Sequence, residues 1–160
     1  VFLVCCHKHG HFLFMKHDHV QDLFNAIMSC REWQDMMWWK FMINVGMNQA
    51  SAVMRAPYGI FQTSPDARNL MEALMKEVIA LTDVMGVNLT PRDIEEWYTF
   101  LNTLSPQGKT SMLQDIEAGR KTEIEIFGGK IVELGKRHGV KTPVNQNLLQ
   151  IIRVLEQHRN

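Results

Sequence analysis

The chain has few cysteines, no long apolar run and no net charge, and each absence excludes a class of protein. Three cysteines, with Cys5 and Cys6 adjacent, do not form a secreted disulfide framework and favour a reducing, cytoplasmic setting. No apolar run approaches the roughly 20 residues that a transmembrane helix needs. The formal net charge is +0, so no broad electrostatic field attracts nucleic acid or an anionic membrane. We therefore expect neither as a partner.

The sequence also lacks the Gly-x-Gly-x-x-Gly turn that receives the pyrophosphate in dinucleotide-binding domains. None of its 10 glycines is followed by another glycine two positions later. The chain begins with Val1 and not with Met. We expect residue 1 not to be the natural start of the gene product, although processing explains this first residue equally well.

Apolar residues recur at intervals of three and four almost throughout, which predicts an all-α fold of about seven helices. Ser64, Thr90 and Thr142 each precede a proline and are expected N-caps. The helix predicted over residues 33–54, called the Trp- and Met-rich helix below, has almost no solvated face, which predicts a central position in the fold. Residues 18–160 are expected to form one compact helical domain. The predicted helices cover residues 20–28, 33–54, 65–85, 91–101, 111–118, 122–138 and 143–155.

Residues 1–17 differ in character from the rest of the chain. Five of the 7 histidines lie within the first nineteen residues, together with Cys5 and Cys6. Such a cluster could bind zinc, nickel or copper, and His7, His9 and His11 would share one face of an extended strand. However, the spacing matches no structural zinc pattern, and nearby carboxylates are scarce beyond Asp18. We assign no metal here and favour a strand remnant or an adventitious tail.

Lys40, Asn44 and Asn48 repeat at intervals of four within the second predicted helix. On an α-helix this spacing turns only about 40° per step, so the three side chains form a row on one face. A cationic proton donor beside two amides suits a small carbonyl substrate that carries a carboxylate. A structural explanation is also open, in which the asparagines satisfy buried groups and Lys40 extends past Trp39 to water.

Further motifs lie downstream: Ser111-Met-Leu-Gln-Asp-Ile-Glu-Ala-Gly-Arg-Lys-Thr-Glu-Ile124, the Gly128-Gly129 step, and Gly139-Val-Lys-Thr-Pro143-Val-Asn145. Together with Trp39-Lys40, Asn44 and Asn48, they resemble the C-terminal domain of ketopantoate reductases (2-dehydropantoate 2-reductases) over about residues 20–156. The resemblance implies an all-helical fold similar to that of 6-phosphogluconate dehydrogenase-like proteins. The resemblance also implies a nucleotide-binding half, which this sequence lacks. Three origins would explain the difference: an excised domain, a proteolytic remnant and the product of a disrupted gene.

The resemblance implies an NADPH-dependent oxidoreductase that converts a 2-oxo acid to pantoate in pantothenate biosynthesis. It implies Lys40 as the general acid, Glu123 as a partner of the substrate hydroxyl and of Lys40, and Asn44, Asn48 and Ser111 as substrate contacts. The NADPH site would lie in the nucleotide domain, so we expect this chain alone to be inactive.

One position departs from the family pattern. Many members have Asn-Gly after a proline downstream of the lysine helix, whereas this chain has Pro57-Tyr58-Gly59. Tyr58 is either a substrate contact through its hydroxyl or a ring packed at a helix end, and the identity of the 2-oxo acid stays open.

Two alternatives accompany this assignment. The helical domains of 3-hydroxyacid dehydrogenases also pair a catalytic lysine with an asparagine, but they do not share the Ser-Met-Leu-Gln-Asp stretch. The other is a free-standing helical module that self-associates, as a homodimer, through its Trp- and Met-rich helix.

Overall fold

The computed structural model describes residues 5–6, 11–12 and 31–158. The chain divides into two units, residues 1–36 and 37–160, and each is described by itself. In the first unit, strand β1 (Cys5–Cys6) pairs antiparallel with strand β2 (His11–Phe12), so that Cys5 lies opposite Phe12. The predicted helix over residues 20–28 and the histidine side chains of this segment lie outside the described residues.

From residue 31 onward the chain is helical, and two stretches are π-helical. The α1–π1–α2 stretch is continuous, as is π2–α7, so residues 31–158 contain seven helical segments and the all-α prediction is confirmed. None of the described helices is both long and apolar enough to cross a membrane. In chain order the elements are α1 (Arg31–Ile43), π1 (Asn44–Asn48), α2 (Gln49–Met54), α3 (Tyr58–Thr63), α4 (Pro65–Val84), α5 (Pro91–Leu101), α6 (Ser111–Glu117), π2 (Glu125–Gly129), α7 (Lys130–His138) and α8 (Pro143–Gln157).

Ser64, Thr90 and Thr142 all occupy the N-cap positions predicted for them. Ser64 accepts a hydrogen bond from the Ala67 N–H at the start of α4, and the Thr90 N–H donates to the Asp93 carboxylate at the start of α5. Thr142 occupies the N-cap position of α8, but its side chain makes no capping hydrogen bond. The Glu77 carboxylate of α4 accepts from the first N–H groups of α8 instead. A carboxylate from a distant helix thus caps α8 in place of the Thr142 hydroxyl.

Helix α3 was not predicted, because Pro57-Tyr58-Gly59 is typical of a turn. The structure explains it by contacts with a distant loop. The N–H of Tyr58 donates to the Gly108 carbonyl at 2.9 Å, and the N–H of Gly59 donates to the Pro106 carbonyl at 2.8 Å. These bonds satisfy the first N–H groups of a helix that has no side-chain cap of its own.

The core lies around π1 and α4. Met42 and Val45 are fully buried, and a Cβ atom at Gly46 would come within 2.5 Å of the Met75 side chain, so α4 packs directly on the π1 backbone. The predicted absence of a solvated face does not hold for the earlier part of this helix, since Met37 is 52% exposed. The helix is therefore a central element only from Met42 onward.

Candidate functional site

The predicted row of polar side chains lies across the junction of α1 and π1. Lys40, in the last turn of α1, is exposed, Asn44 is half-buried, and Asn48 is 9% exposed. Within the described part of the chain, none of the three side chains makes a hydrogen bond or an ion pair. Their polar groups are therefore available to a ligand, and the structural explanation for the asparagines has no partner group to support it there.

The π-helical geometry changes the expected alignment of the row. On a regular α-helix, two steps of about 40° would turn Asn48 roughly 80° from Lys40. A π-helix closes its hydrogen bonds from residue i to i+5, so its turn holds more than four residues. The step from Asn44 to Asn48 therefore turns back toward Lys40. Ideal π-helical geometry thus predicts a straighter row than a regular α-helix does, and π-helical segments are frequent at functional sites.

Ser111 is tied to the same helix through its neighbour Thr110. Thr110 caps α6 by accepting from the Leu113 N–H at 3.1 Å, and its hydroxyl donates to Ser51 Oγ at 3.2 Å. Ser51, one turn after Asn48, donates in turn to the Ala56 carbonyl at 2.7 Å. These bonds are buried, so they fix the start of α6 against α2, and α6 also contacts π1. The exposed Ser111 side chain follows directly after this anchor.

Glu123 lies just before π2, and its side chain is exposed. The preceding residue is held by Glu156, whose carboxylate accepts from the Thr122 N–H at 2.6 Å and from its hydroxyl at 2.8 Å. Segment π2 contacts π1, and the ring of Phe127 packs near that of Phe41, with centroids 6.1 Å apart. Phe41 follows Lys40 directly, so this aromatic pair links α1, which carries the predicted acid, to π2, which begins two residues after the predicted partner Glu123.

Tyr58 begins α3, and its ring lies against Gly108. A Cβ atom at Gly108 would come within 2.8 Å of the ring, so the glycine is needed for this approach. Burial raises the pKa of the Tyr58 hydroxyl above its usual range. Its hydroxyl makes no hydrogen bond to the described residues. The packed ring supports the interpretation of Tyr58 as a ring packed at a helix end. A substrate contact through its hydroxyl stays a prediction.

Of the segments that carry the six predicted residues, π1 contacts α6, where Ser111 lies, and π2, which begins two residues after Glu123. Lys40, Ser111 and Glu123 are exposed, and no ion pair joins Lys40 to Glu123 among the described residues. Two surface cavities, of about 290 and 350 Å³, lie elsewhere, one beside Arg55 and the other beside Lys136. None of the six residues lines either cavity. Exposed side chains of this kind need an opposing surface before they can enclose a small substrate.

Among the side chains that the structure describes, no three His, Cys, Asp or Glu residues are grouped to hold a metal ion. The histidine-rich residues 7–11 and 17–19 are not among these side chains.

Comparison with known proteins identifies the family. Residues 32–156 match the protein family described as "Ketopantoate reductase PanE/ApbA C terminal". The chain belongs to this family. The 2-dehydropantoate 2-reductase of Pyrobaculum aerophilum is 33% identical over 121 residues, which are 74% of this chain and 42% of that protein. The chain spans less than half the length of the curated relatives it matches.

Solved structures support the same fold. A dimeric ketopantoate reductase from Staphylococcus aureus matches 100% of this chain and 61% of its own length, with a TM-score of 0.76 and 18% identity. D-mandelate dehydrogenase, solved with NADH and anilino(oxo)acetate, matches 75% of this chain and 40% of its own length, with a TM-score of 0.69 and 24% identity. At these identities the likeness is one of fold.

Proposed function

We propose that this chain supplies the substrate-binding and acid-catalytic wall of an NADPH-dependent reductase that converts 2-dehydropantoate to pantoate in pantothenate biosynthesis. One observation carries the proposal: π1 contacts both α6 and π2. The segments that bear Asn44 and Asn48 and Ser111 are thereby neighbours, and Glu123 precedes π2 by two residues, although nearly eighty positions separate Asn44 from Glu123. We propose residues 18–160 as one domain of the enzyme.

Reduction of a 2-oxo acid requires a hydride at the carbonyl carbon and a proton at the carbonyl oxygen. We assign only the proton to this chain, with the Lys40 ammonium as its donor. The Asn44 and Asn48 amides and the Ser111 hydroxyl offer hydrogen bonds to the substrate carboxylate and hydroxyl groups. Glu123 accepts a hydrogen bond from the substrate hydroxyl, and its negative charge attracts the Lys40 ammonium across the candidate site.

The described residues do not fit a dinucleotide. They contain no strand that leads through a glycine-rich turn into a helix, because their strands β1 and β2 are each 2 residues long and pair only with each other. We therefore assign the NADPH site to a nucleotide-binding domain outside this chain and expect the 160-residue chain to be inactive by itself.

A two-domain protein tests this function. It joins this chain to a nucleotide-binding domain, either one encoded in frame upstream or the N-terminal part of the Pyrobaculum aerophilum relative. We expect NADPH oxidation that depends on 2-dehydropantoate and stops when that substrate is omitted. The loss of NADPH absorbance measures the rate, and NADH serves as the comparison donor.

The same assay determines the substrate class. The 2-oxo acid that corresponds to mandelate provides a second substrate, since D-mandelate dehydrogenase shares this fold. Faster reduction of that acid than of 2-dehydropantoate would assign a different substrate. Measurable NADPH binding to the 160-residue chain alone would contradict the assignment of the nucleotide site to another domain.

We also propose that this chain forms a homodimer through its Trp- and Met-rich helix. Met37 is 52% exposed there, and Trp38 and Trp39 are half-buried. We expect sedimentation of the 160-residue chain to give twice the monomer mass, and Met37→Lys to shift it toward monomer. A self-associating module without catalysis would still dimerise while the two-domain protein reduced no 2-oxo acid. A monomer at all concentrations would contradict the dimer.

A further inference from the structure

A series of side-chain hydrogen bonds crosses the core behind the candidate site. Glu77 of α4 accepts from the backbone N–H groups of Val144 (2.8 Å) and Asn145 (3.0 Å), and also from Asn145 Nδ2 (2.8 Å). Asn145 Oδ1 accepts from Gln49 Nε2 at 3.0 Å. The same Gln49 nitrogen donates to the Val45 carbonyl at 2.8 Å. The series therefore begins on α4 and ends inside π1.

The orientation of each amide follows from its neighbours. The Glu77 carboxylate accepts three N–H groups, so Asn145 turns its Nδ2 toward that carboxylate. Asn145 Oδ1 then faces Gln49, which must present its own nitrogen. A flipped Gln49 amide would set its oxygen against two acceptors, Asn145 Oδ1 and the Val45 carbonyl. The side-chain nitrogen of Gln49, Nε2, therefore faces π1, and its oxygen, Oε1, faces away from the Val45 carbonyl.

The oxygen of Gln49 lies against π2. A Cβ atom at Gly128 would come within 2.6 Å of Gln49 Oε1, which is closer than such atoms approach in proteins. Gln49 is 0% exposed, and Oε1 has no hydrogen-bond donor in the part of the chain that the structure describes. An unsatisfied buried oxygen is unfavourable and rare in native proteins. One amide thus bonds to π1 and directly contacts π2.

We propose that Gln49 is a positioning residue that fixes π1 relative to π2 and thereby aligns Asn44 and Asn48 with Lys40 and Glu123. The catalytic part of this proposal rests on the proposed reductase function. Without the bond to the Val45 carbonyl, π1 can relax toward α-helical geometry. Asn48 then turns away from the face of Lys40, and Gly128 loses the contact that sets the distance of π2.

Replacement of Gln49 by methionine tests the proposal, because Met has a similar length and cannot make the two hydrogen bonds. Gln62→Met is the matched control, since Gln62 Nε2 also donates two bonds, to the Leu101 and Leu104 carbonyls at 2.9 Å. In NMR spectra of the 160-residue chain, Gln49→Met is expected to shift the side-chain amide signals of Asn44 and Asn48 and to speed hydrogen exchange in π1. Gln62→Met is expected to leave both unchanged.

Kinetics of the two-domain protein give the second measurement. Gln49→Met is expected to lower kcat with the 2-oxo acid by roughly 10- to 100-fold, because small misplacements of binding groups are costly. The KM for NADPH is expected to stay within about twofold, since the nucleotide site lies in the other domain. Gln62→Met is expected to leave both constants within about twofold, because Gln62 bonds to neither π segment.

Gly128→Ala alters the same contact from the π2 side, and it replaces Gln49→Met as the test if that variant does not fold. Its Cβ atom would press on Gln49 Oε1, so the Asn44 and Asn48 signals are expected to shift. Combining it with Gln49→Ala should remove most of this effect, since the double variant has room for the methyl group. Unchanged Asn44 and Asn48 signals in the folded variants would overturn the role of Gln49. A wild-type protein without reductase activity would instead overturn the proposed function.

Discussion

Lys40→Ala in the two-domain protein is expected to lower turnover with 2-dehydropantoate by about 10²-fold or more. A positioned general acid contributes typically ~10²–10⁴ in rate, and Lys40 is the proposed proton donor to the carbonyl oxygen. Because the side chain is exposed and has no bonded partner in the described part of the chain, its removal is expected to cost less than about 0.5 kcal/mol of stability. The measurements are kcat with 2-dehydropantoate and Tm.

Two variants separate proton donation from other effects. Lys40→Arg keeps the positive charge, but a guanidinium does not release its proton in proteins, so turnover is expected to stay low. Lys136→Ala removes another exposed lysine, on α7, outside the candidate site, and is expected to leave kcat within about twofold. Unchanged turnover in Lys40→Ala would refute the assignment of Lys40 as the general acid. Full activity in Lys40→Arg would show that Lys40 contributes its positive charge and not a proton.

The parts of the fold that depend on neighbouring residues could be predicted from the sequence. The apolar stripe of α4 and the cap at Ser64 are local features, since every group they need lies within a few turns. Helix α3 could not be predicted in this way, because its first N–H groups bond to a loop about fifty residues later. The start of α8 is similar, since its acceptor Glu77 precedes it by nearly seventy residues.

The π-helical segments were missed for a related reason. The spacing of Asn44 and Asn48 predicts a helix but does not distinguish an α turn from a π turn. The side chain that supports π1, Gln49, obtains its partner Asn145 from a helix 96 positions away. A buried glutamine inside an apolar helix was the available signal, because such an amide requires a distant partner. The candidate site residues stay a prediction from the sequence, whereas the buried bond between Gln49 and Asn145 behind them could not be predicted from it.

Asn145→Ala is expected to cause a large loss of stability. Asn145 is 0% exposed, and its side chain donates to Glu77 and to the Leu74 carbonyl and accepts from Gln49. Removing two buried hydrogen bonds and a partly buried one to a carboxylate is expected to cost about 3 kcal/mol. For a domain of this size, that corresponds to a fall in Tm of roughly 10 °C. Thermal unfolding of the 160-residue chain measures it.

The exposed Asn147 on the same helix supplies the control, and Asn147→Ala is expected to change Tm by less than about 2 °C. A double-mutant cycle then shows whether the network acts as a unit. Since Gln49 and Asn145 share a hydrogen bond, Gln49→Met together with Asn145→Ala should cost less than the sum of the single changes. Additive losses, or equal Tm values for the Asn145 and Asn147 variants, would contradict a buried network that supports π1.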